Sequence, residues 1–316
     1  MGNIEEGLVV KSTGSLYLVR THDAKIIMCK LRGKFRLDGI KTTNPITVGD
    51  VVSFERDSGQ GYGLITTIRD RKNYIYRKST NLSKITHIIA ANIDCAFLIV
   101  SMMEPRTPLG FIDRFLVAAE SFRIKTVLIF NKTDLYNPKI EQICQKWQDL
   151  YTNIGYECIP TSVVTGQGME MLKEKMQDKI SLFSGQSGVG KSSIINVLEP
   201  DLKLKTNYVS DYNNKGKHTT TFAEMFELSF GGFIIDTPGI KEFGLIQYKK
   251  EEVSHYFPEM LNLLSACKFH NCTHTHEPHC AVKQALEEGK IAATRYQNYL
   301  NIIQNEDIEL KDWMLE

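Results

Sequence analysis

The chain lacks any run of 18 uncharged apolar residues, and Asn3, Glu5 and Glu6 interrupt its start. The first absence excludes a membrane-spanning helix of ordinary length and the second a secretory leader, so a cytoplasmic protein with no membrane partner is expected. A strong charge of either sign is also missing: 38 Lys and Arg stand against 37 Asp and Glu in 316 residues, net +1 with His neutral. This removes a global nucleic-acid signature, although the charge is uneven. Residues 1–72 carry 12 basic against 8 acidic side chains, net +4, which leaves −3 for residues 73–316. The seven cysteines are odd in number and lack a secretory context, which argues against a disulfide framework. Cys29, Cys95, Cys144 and Cys158 are scattered and read as reduced core thiols, while the other three cluster near the C-terminus. What is present, 42% hydrophobic and 24% charged residues, suits a globular protein of two or three domains, with a monomer as the default state.

The strongest motif is Gly185-Gln186-Ser187-Gly188-Val189-Gly190-Lys191-Ser192-Ser193, which fits G-x-x-x-x-G-K-[ST] at every fixed position. The apolar run Ile180–Ser184 before it suits a buried strand, and Ser193–Leu198 after it has helical character. Glycines let such a loop curl so that successive N–H groups and a helix N-terminus face a di- or triphosphate. Lys191 would reach the β- and γ-phosphates and Ser192 would ligate Mg²⁺. Asn131-Lys132-Thr133-Asp134 names the base, because a carboxylate at the end of the apolar run Thr126–Phe130 can accept from both N1–H and the exocyclic amine of guanine. A site built on specific hydrogen bonds rejects the wrong partner by roughly 10⁴-fold. Asn131 would orient the loop and the Lys132 stem would cover the ring. Ser162, in Thr161–Gly166, falls where GTP-binding domains place a backbone N–H against the guanine oxygen.

The order of these motifs is reversed. The guanine motif precedes the phosphate loop by more than 50 residues, so the domain reads as circularly permuted, which chain termini lying close together at a domain surface permit.

Residues 1–72 read as short strands, Glu6 to Arg20, Lys25 to Leu31, Gly49 to Glu55 and Tyr62 to Arg69, which suggests a five-stranded barrel of the OB type. Lys30, Arg32, Lys34, Phe35 and Arg36 form its densest candidate RNA-binding patch. Residues 73–90 read as a connection. Strands and helices then alternate from residue 93 to 199, with helices expected over Asp113–Phe122, Pro138–Leu150 and Met169–Lys179, which means a doubly wound α/β domain. Residues 205–221 are polar and turn-rich, in the place of a switch in which Thr220, or its neighbour Thr219 or Thr221, would complete the Mg²⁺ shell. A hairpin across Gly231-Gly232 delivers Asp236-Thr237-Pro238-Gly239, where Asp236 would hold Mg²⁺ through water and the Gly239 N–H would meet the γ-phosphate. The next residue is Ile240, and an aliphatic side chain cannot orient the attacking water. His218, on the opposite switch, is the candidate that would replace it.

Cys267-x₄-Cys272-x-His274-x₅-Cys280 places three thiols and several imidazoles within 14 residues, which reads as a Cys₃His structural Zn²⁺ site with His270, His276 and His279 as rival ligands. Such a site supplies on the order of 10 kcal/mol to a segment too small to fold alone. Ala292, Tyr296, Tyr299 and Ile303 mark a closing helix that packs on it.

Barrel, N-K-T-D, G-Q-S-G-V-G-K-S-S, G-K-H-T-T-T, D-T-P-G-I and the cysteine cluster, in this order, resemble the RsgA family, the bacterial ribosome small-subunit-dependent GTPases, over essentially the whole chain. The resemblance implies an OB-fold over residues 1–72, a permuted GTPase domain over 73–250 and a zinc-binding domain over 251–316. It also implies late maturation of the small ribosomal subunit, contact with its rRNA, conversion of GTP to GDP that is slow until the subunit binds, and a need for His218 in the stimulated reaction. Ser162-Val163 stands where many GTP-binding domains have Ser-Ala. Two other readings use the same residues, an RNA-binding assembly module with the nucleotide as affinity switch and a GTPase stimulated by free RNA. Lys191, Ser192 and Asp236 favour true hydrolysis.

Overall fold

The computed structural model describes residues 4–31, 45–56, 61–78, 86–202, 224–236 and 248–304. They divide into two compact units, one made of residues 1–96, 169–183 and 192–240, the other of residues 97–168, 184–191 and 241–316.

The first unit opens with five strands, β1 (Ile4–Ser12), β2 (Tyr17–Thr21), β3 (Ile26–Leu31), β4 (Val51–Arg56) and β5 (Gly63–Ile68). They run in the order β1-β2-β3-β5-β4, and β4 returns to β1 to close a barrel. Alternation builds it: Val9, Tyr17, Val19, Cys29, Val52, Phe54 and Ile65 point inward into one apolar core. The single strand expected from Glu6 to Arg20 is two, because Gly14 turns the chain at φ 85° and the Thr13 N–H donates to the Leu16 carbonyl. Of the expected basic patch, Lys30 sits 4.2 Å over the Tyr62 ring; Arg32, Lys34, Phe35 and Arg36 lie outside the described residues.

The stretch expected as a connection is a hairpin, β6 (Tyr74–Lys78) with β7 (Thr86–Ala91), antiparallel. It is fastened to the barrel at one corner. Buried Asp50 accepts from the Thr47 N–H at 2.8 Å and from Arg71 Nε at 2.6 Å, and the Ala91 N–H donates to the Val48 carbonyl at 2.9 Å. Gly49, at φ 88°, is required here: a Cβ would lie 2.0 Å from the Ala91 carbonyl oxygen.

Strand β8 (Cys95–Ser101) is buried throughout, and α1 (Leu109–Ser121), β9 (Lys125–Asn131), α2 (Pro138–Asn153) and β10 (Glu157–Pro160) follow. β9 and β10 pair in parallel. Helix α1 begins four residues earlier than Asp113, directly after Pro108. Helix α2 has Pro at its first position, and the Asn137 side chain accepts the Ile140 N–H at 3.0 Å as its cap.

Next come α3 (Met169–Met176), β11 (Ile180–Ser184), α4 (Lys191–Leu198), β12 (Glu224–Glu227) and β13 (Phe233–Asp236). Within the first unit β11 and β13 are parallel, and β12 and β13 form the expected hairpin across Gly231-Gly232. Barrel strand β1 bonds to β12 at Lys11 opposite Glu224, whose side chains pair at 2.8 Å.

In the second unit the C-terminal helices are α5 (Lys250–Val253), α6 (Pro258–Leu261), α7 (Ala281–Glu287) and α8 (Ala293–Gln304). Phe257, Met260, Val282, Tyr299 and Ile303 form their core together with Val117 of α1. Phe257 and Tyr299 meet edge to face at 5.6 Å. Among the described residues no helix is long and apolar enough to cross a membrane.

Candidate functional site

The phosphate loop leaves β11 at Gly185, whose φ of 145° and close approach to the Ile99 carbonyl, 2.6 Å from a built Cβ, leave no room for a side chain. Gly190, at φ 101°, is equally constrained, since a Cβ would lie 2.4 Å from Asn131 Nδ2. Lys191 turns its ammonium across the loop, donating to the Gly185 and Gln186 carbonyls at 2.6 Å each. Ser187 and Gly188 are exposed, Val189 is buried under them, and Ser192 is buried in the first turn of α4. Ser193 follows it on the same turn.

Asn131 links this loop to the guanine motif. It ends β9, nearly fully buried, and its Nδ2 donates to the Val189 carbonyl at 2.8 Å while its Oδ1 accepts from Thr161 Oγ1 at 3.0 Å. A buried amide with both ends satisfied holds three chain segments in register. Lys132 then takes a left-handed φ of 67°, and Thr133 Oγ1 bonds the Thr161 carbonyl at 3.1 Å and Gln167 Oε1 at 2.7 Å. Asp134 is exposed, and Ser162 Oγ donates to its Oδ1 at 2.5 Å. The Ser162 N–H, expected to face the guanine oxygen, donates to the Gln167 carbonyl at 3.1 Å in this structure, and the Ser162 hydroxyl contacts the Asp134 carboxylate.

Asn131, Lys132, Thr133, Asp134, Ser162 and Gly185–Lys191 thus belong to one unit. His218, Thr220 and Gly239 lie outside the described residues, and of Asp236 only its place at the end of β13 is described. Thr161, named in the sequence only as the start of its segment, and Gln167, not singled out there, bond Asn131 and Thr133 respectively. Their one signal was proximity to Ser162.

The second site is the cysteine cluster. One ligand atom from each of Cys267, Cys272, His274 and Cys280 lies within 4.8 Å of the others, and His274 Nδ1 is 3.7 Å from Cys267 Sγ and 3.3 Å from Cys280 Sγ. His274 is buried beside the thiols, whereas His270, His276 and His279 are exposed, which favours His274 for the fourth position. Burial lowers the pKa of the His274 imidazole and so favours the neutral ring, the form that can donate a lone pair to a metal. Three soft sulfurs and one imidazole fit Zn²⁺ in both donor type and number.

Backbone anchoring supports the cluster. Tyr296 and Tyr299 of α8 donate to the His274 and Thr273 carbonyls at 2.6 Å each, which holds His274 at a left-handed φ of 56°. The Glu277 carboxylate accepts the Thr273 and Thr275 N–H groups at 2.7 and 2.9 Å. Partial burial opposes ionisation of Glu277, but these donors and the Thr273 hydroxyl outweigh it and bring its pKa down to about 2.

Comparison with known proteins agrees in extent and in kind. A model described as the RsgA N-terminal domain matches residues 6–65, and one described as the RsgA GTPase matches residues 68–246. A small ribosomal subunit biogenesis GTPase RsgA from Flavobacterium psychrophilum is 52% identical, over 95% of this chain and 93% of its own. The protein of the same description from Christiangramia forsetii is 51% identical over 96% of both chains. Among solved structures, YjeQ from Thermotoga maritima superposes with a TM-score of 0.79 at 37% identity, covering 96% of this chain and 98% of that one. YloQ, described as a circularly permuted GTPase, gives 0.74 at 29% identity over 98% of each chain. With its reversed motif order, its closed barrel and these matches, the chain belongs to the RsgA GTPase family.

Proposed function

We propose that this GTPase binds the small ribosomal subunit and its rRNA and assists late maturation of that subunit. Bound subunit would accelerate hydrolysis of GTP to GDP and phosphate, and the GDP state would favour release. The observation that supports the nucleotide part is the Asn131 bridge to Val189, which ties the Asn131–Asp134 segment to the phosphate loop. Asp134, oriented by Ser162, would read the guanine edge. Lys191 and the loop N–H groups of Gln186 to Ser193 would hold the phosphates, and Ser192, Thr220 and Asp236 would hold Mg²⁺. His218 would orient the attacking water in place of Ile240. Cys267, Cys272, His274 and Cys280 would bind one structural Zn²⁺.

The domain division that goes with this reading is a barrel over residues 1–72, a permuted GTPase domain over 73–250 and a zinc module over 251–316, acting as a cytoplasmic monomer. The ribosomal partner is supported by relatives that carry that description at about half identity. The test is GTP hydrolysis by the zinc-loaded protein alone and with purified small subunits, large subunits or free RNA. Stimulation confined to small subunits supports the reading. Equal stimulation by free RNA would replace it with a general RNA-dependent GTPase, and equal rates in all mixtures would remove the ribosomal partner.

A further inference from the structure

The hydroxyl of Tyr136 joins the ends of two strands. It donates to the Asn131 carbonyl at 2.7 Å, on the last residue of β9, and accepts the Met102 N–H at 3.2 Å, one residue beyond β8. Met102 opens a short loop that is tied at its base. The Thr107 N–H donates to the Ser101 carbonyl at 2.8 Å and the Ser101 N–H donates to Thr107 Oγ1 at 3.1 Å, with both residues fully buried. Inside the loop the Ser101 hydroxyl donates to the Met103 carbonyl. Few conformations remain open to a segment so tied.

The crest of this loop meets the guanine motif and the phosphate loop. The Glu104 carbonyl accepts the Lys132 ammonium at 2.5 Å, and a Cβ built on Gly188 would lie 3.1 Å from Pro105 Cδ. Lys132 has a left-handed backbone that non-glycine residues adopt only with support, and the crest supplies a partner for its side chain. Asp134 follows in the same turn, so the direction of the base-reading carboxylate depends on how that turn is held.

The geometry points to Tyr136 as a positioning residue for base recognition, with residues 102–108 as a fixed wall beside the guanine-reading turn. The inference rests on the guanine-nucleotide reading above. Burial raises the pKa of the phenol, so it stays protonated and keeps donating to Asn131 across the physiological range.

The experiment uses full-length, zinc-loaded protein with Tyr136→Phe, which keeps the ring and removes only the hydroxyl. Fluorescent GDP and competing IDP report affinity, and steady-state hydrolysis reports kcat. Loss of one hydrogen-bonding group is expected to raise the dissociation constants of GDP and GTP about threefold to tenfold, with kcat at saturating GTP within about twofold of wild type. IDP lacks the exocyclic amine and so one of the two bonds to Asp134. A loosened carboxylate therefore narrows the GDP-to-IDP preference, which a loss of folded protein alone would not do. Thr107→Val, which unties the loop base, should narrow it as well, and Thr107→Ser should restore it. An unchanged preference in Tyr136→Phe overturns the inference, and if that variant does not fold, an unchanged preference in Thr107→Val does so. Wild-type protein that fails to prefer GDP over ADP would instead defeat the functional reading itself.

Discussion

Replacing Arg295 by Met should uncouple the C-terminal helices from α1. Arg295 and Asp113 are each 1% exposed and pair at 2.6 Å, and Arg295 also bonds Glu259 at 2.7 Å. Its guanidinium lies 4.5 Å from the centre of the Phe257 ring. Met fills similar volume but leaves the Asp113 carboxylate buried with only Tyr151 Oη at 2.8 Å and Asn298 Nδ2 at 2.6 Å. Removing one member of a buried pair costs about 3–5 kcal/mol. The two remaining donors place this case near the low end, about 3 kcal/mol. Hydrogen exchange of the α8 amides measures it directly, as a fall in opening free energy of that size. The double variant Arg295→Met with Asp113→Leu removes the fully buried pair and should recover part of the loss, because the stranded Asp113 charge is gone while Glu259, 9% exposed, still lacks its partner.

The pH dependence gives a second signature. Burial pushes the Asp113 carboxyl up, opposed by the Arg295 charge. Without Arg295 the folded-state pKa rises further above its unfolded value, so the folded state binds the extra proton. Stability of the variant should therefore rise as pH falls from 7 towards about 4, the unfolded carboxylate value, while wild type gains less. A loss under about 1 kcal/mol, single-variant costs that simply add in the double, or a pH profile parallel to wild type would refute the reasoning.

Ser162→Ala should weaken GDP binding about threefold to tenfold by freeing the Asp134 rotamer, with kcat at saturation little changed; equilibrium titration checks this. Glu277→Gln replaces a carboxylate that accepts several N–H groups around the cysteine cluster, and a chelator competition should show zinc affinity lowered by about tenfold or more. His218→Ala should abolish subunit-stimulated hydrolysis while leaving nucleotide affinity nearly intact. An equal loss of affinity would remove His218 from the catalytic step.

Both candidate sites were legible in the sequence because each is built from short motifs whose internal spacing encodes a local geometry. A phosphate loop needs glycine at fixed positions, and Gly185 and Gly190 occupy backbone space where any Cβ would collide. Barrel alternation was legible for the same reason, since period two follows from the pleat alone. The pairing of β6 with β7 was not, because its place beside the barrel depends on Val48, Gly49 and Asp50 of another segment. What sets His274 apart from the three other histidines was likewise tertiary: it is buried, and Tyr296 and Tyr299, more than 20 residues later, hold the carbonyls of His274 and Thr273.

The polar connections were least readable. Tyr136 reaches Met102 across 34 residues and Arg295 reaches Asp113 across 182. A sequence states that a side chain can donate or accept, but burial decides whether it must, and the partner is whichever group the fold brings within about 3 Å. Motif spacing alone carried the expectation of what this protein binds. Long-range packing decided how firmly those motifs are held, because a buried polar group has to find its partner wherever the chain has put one.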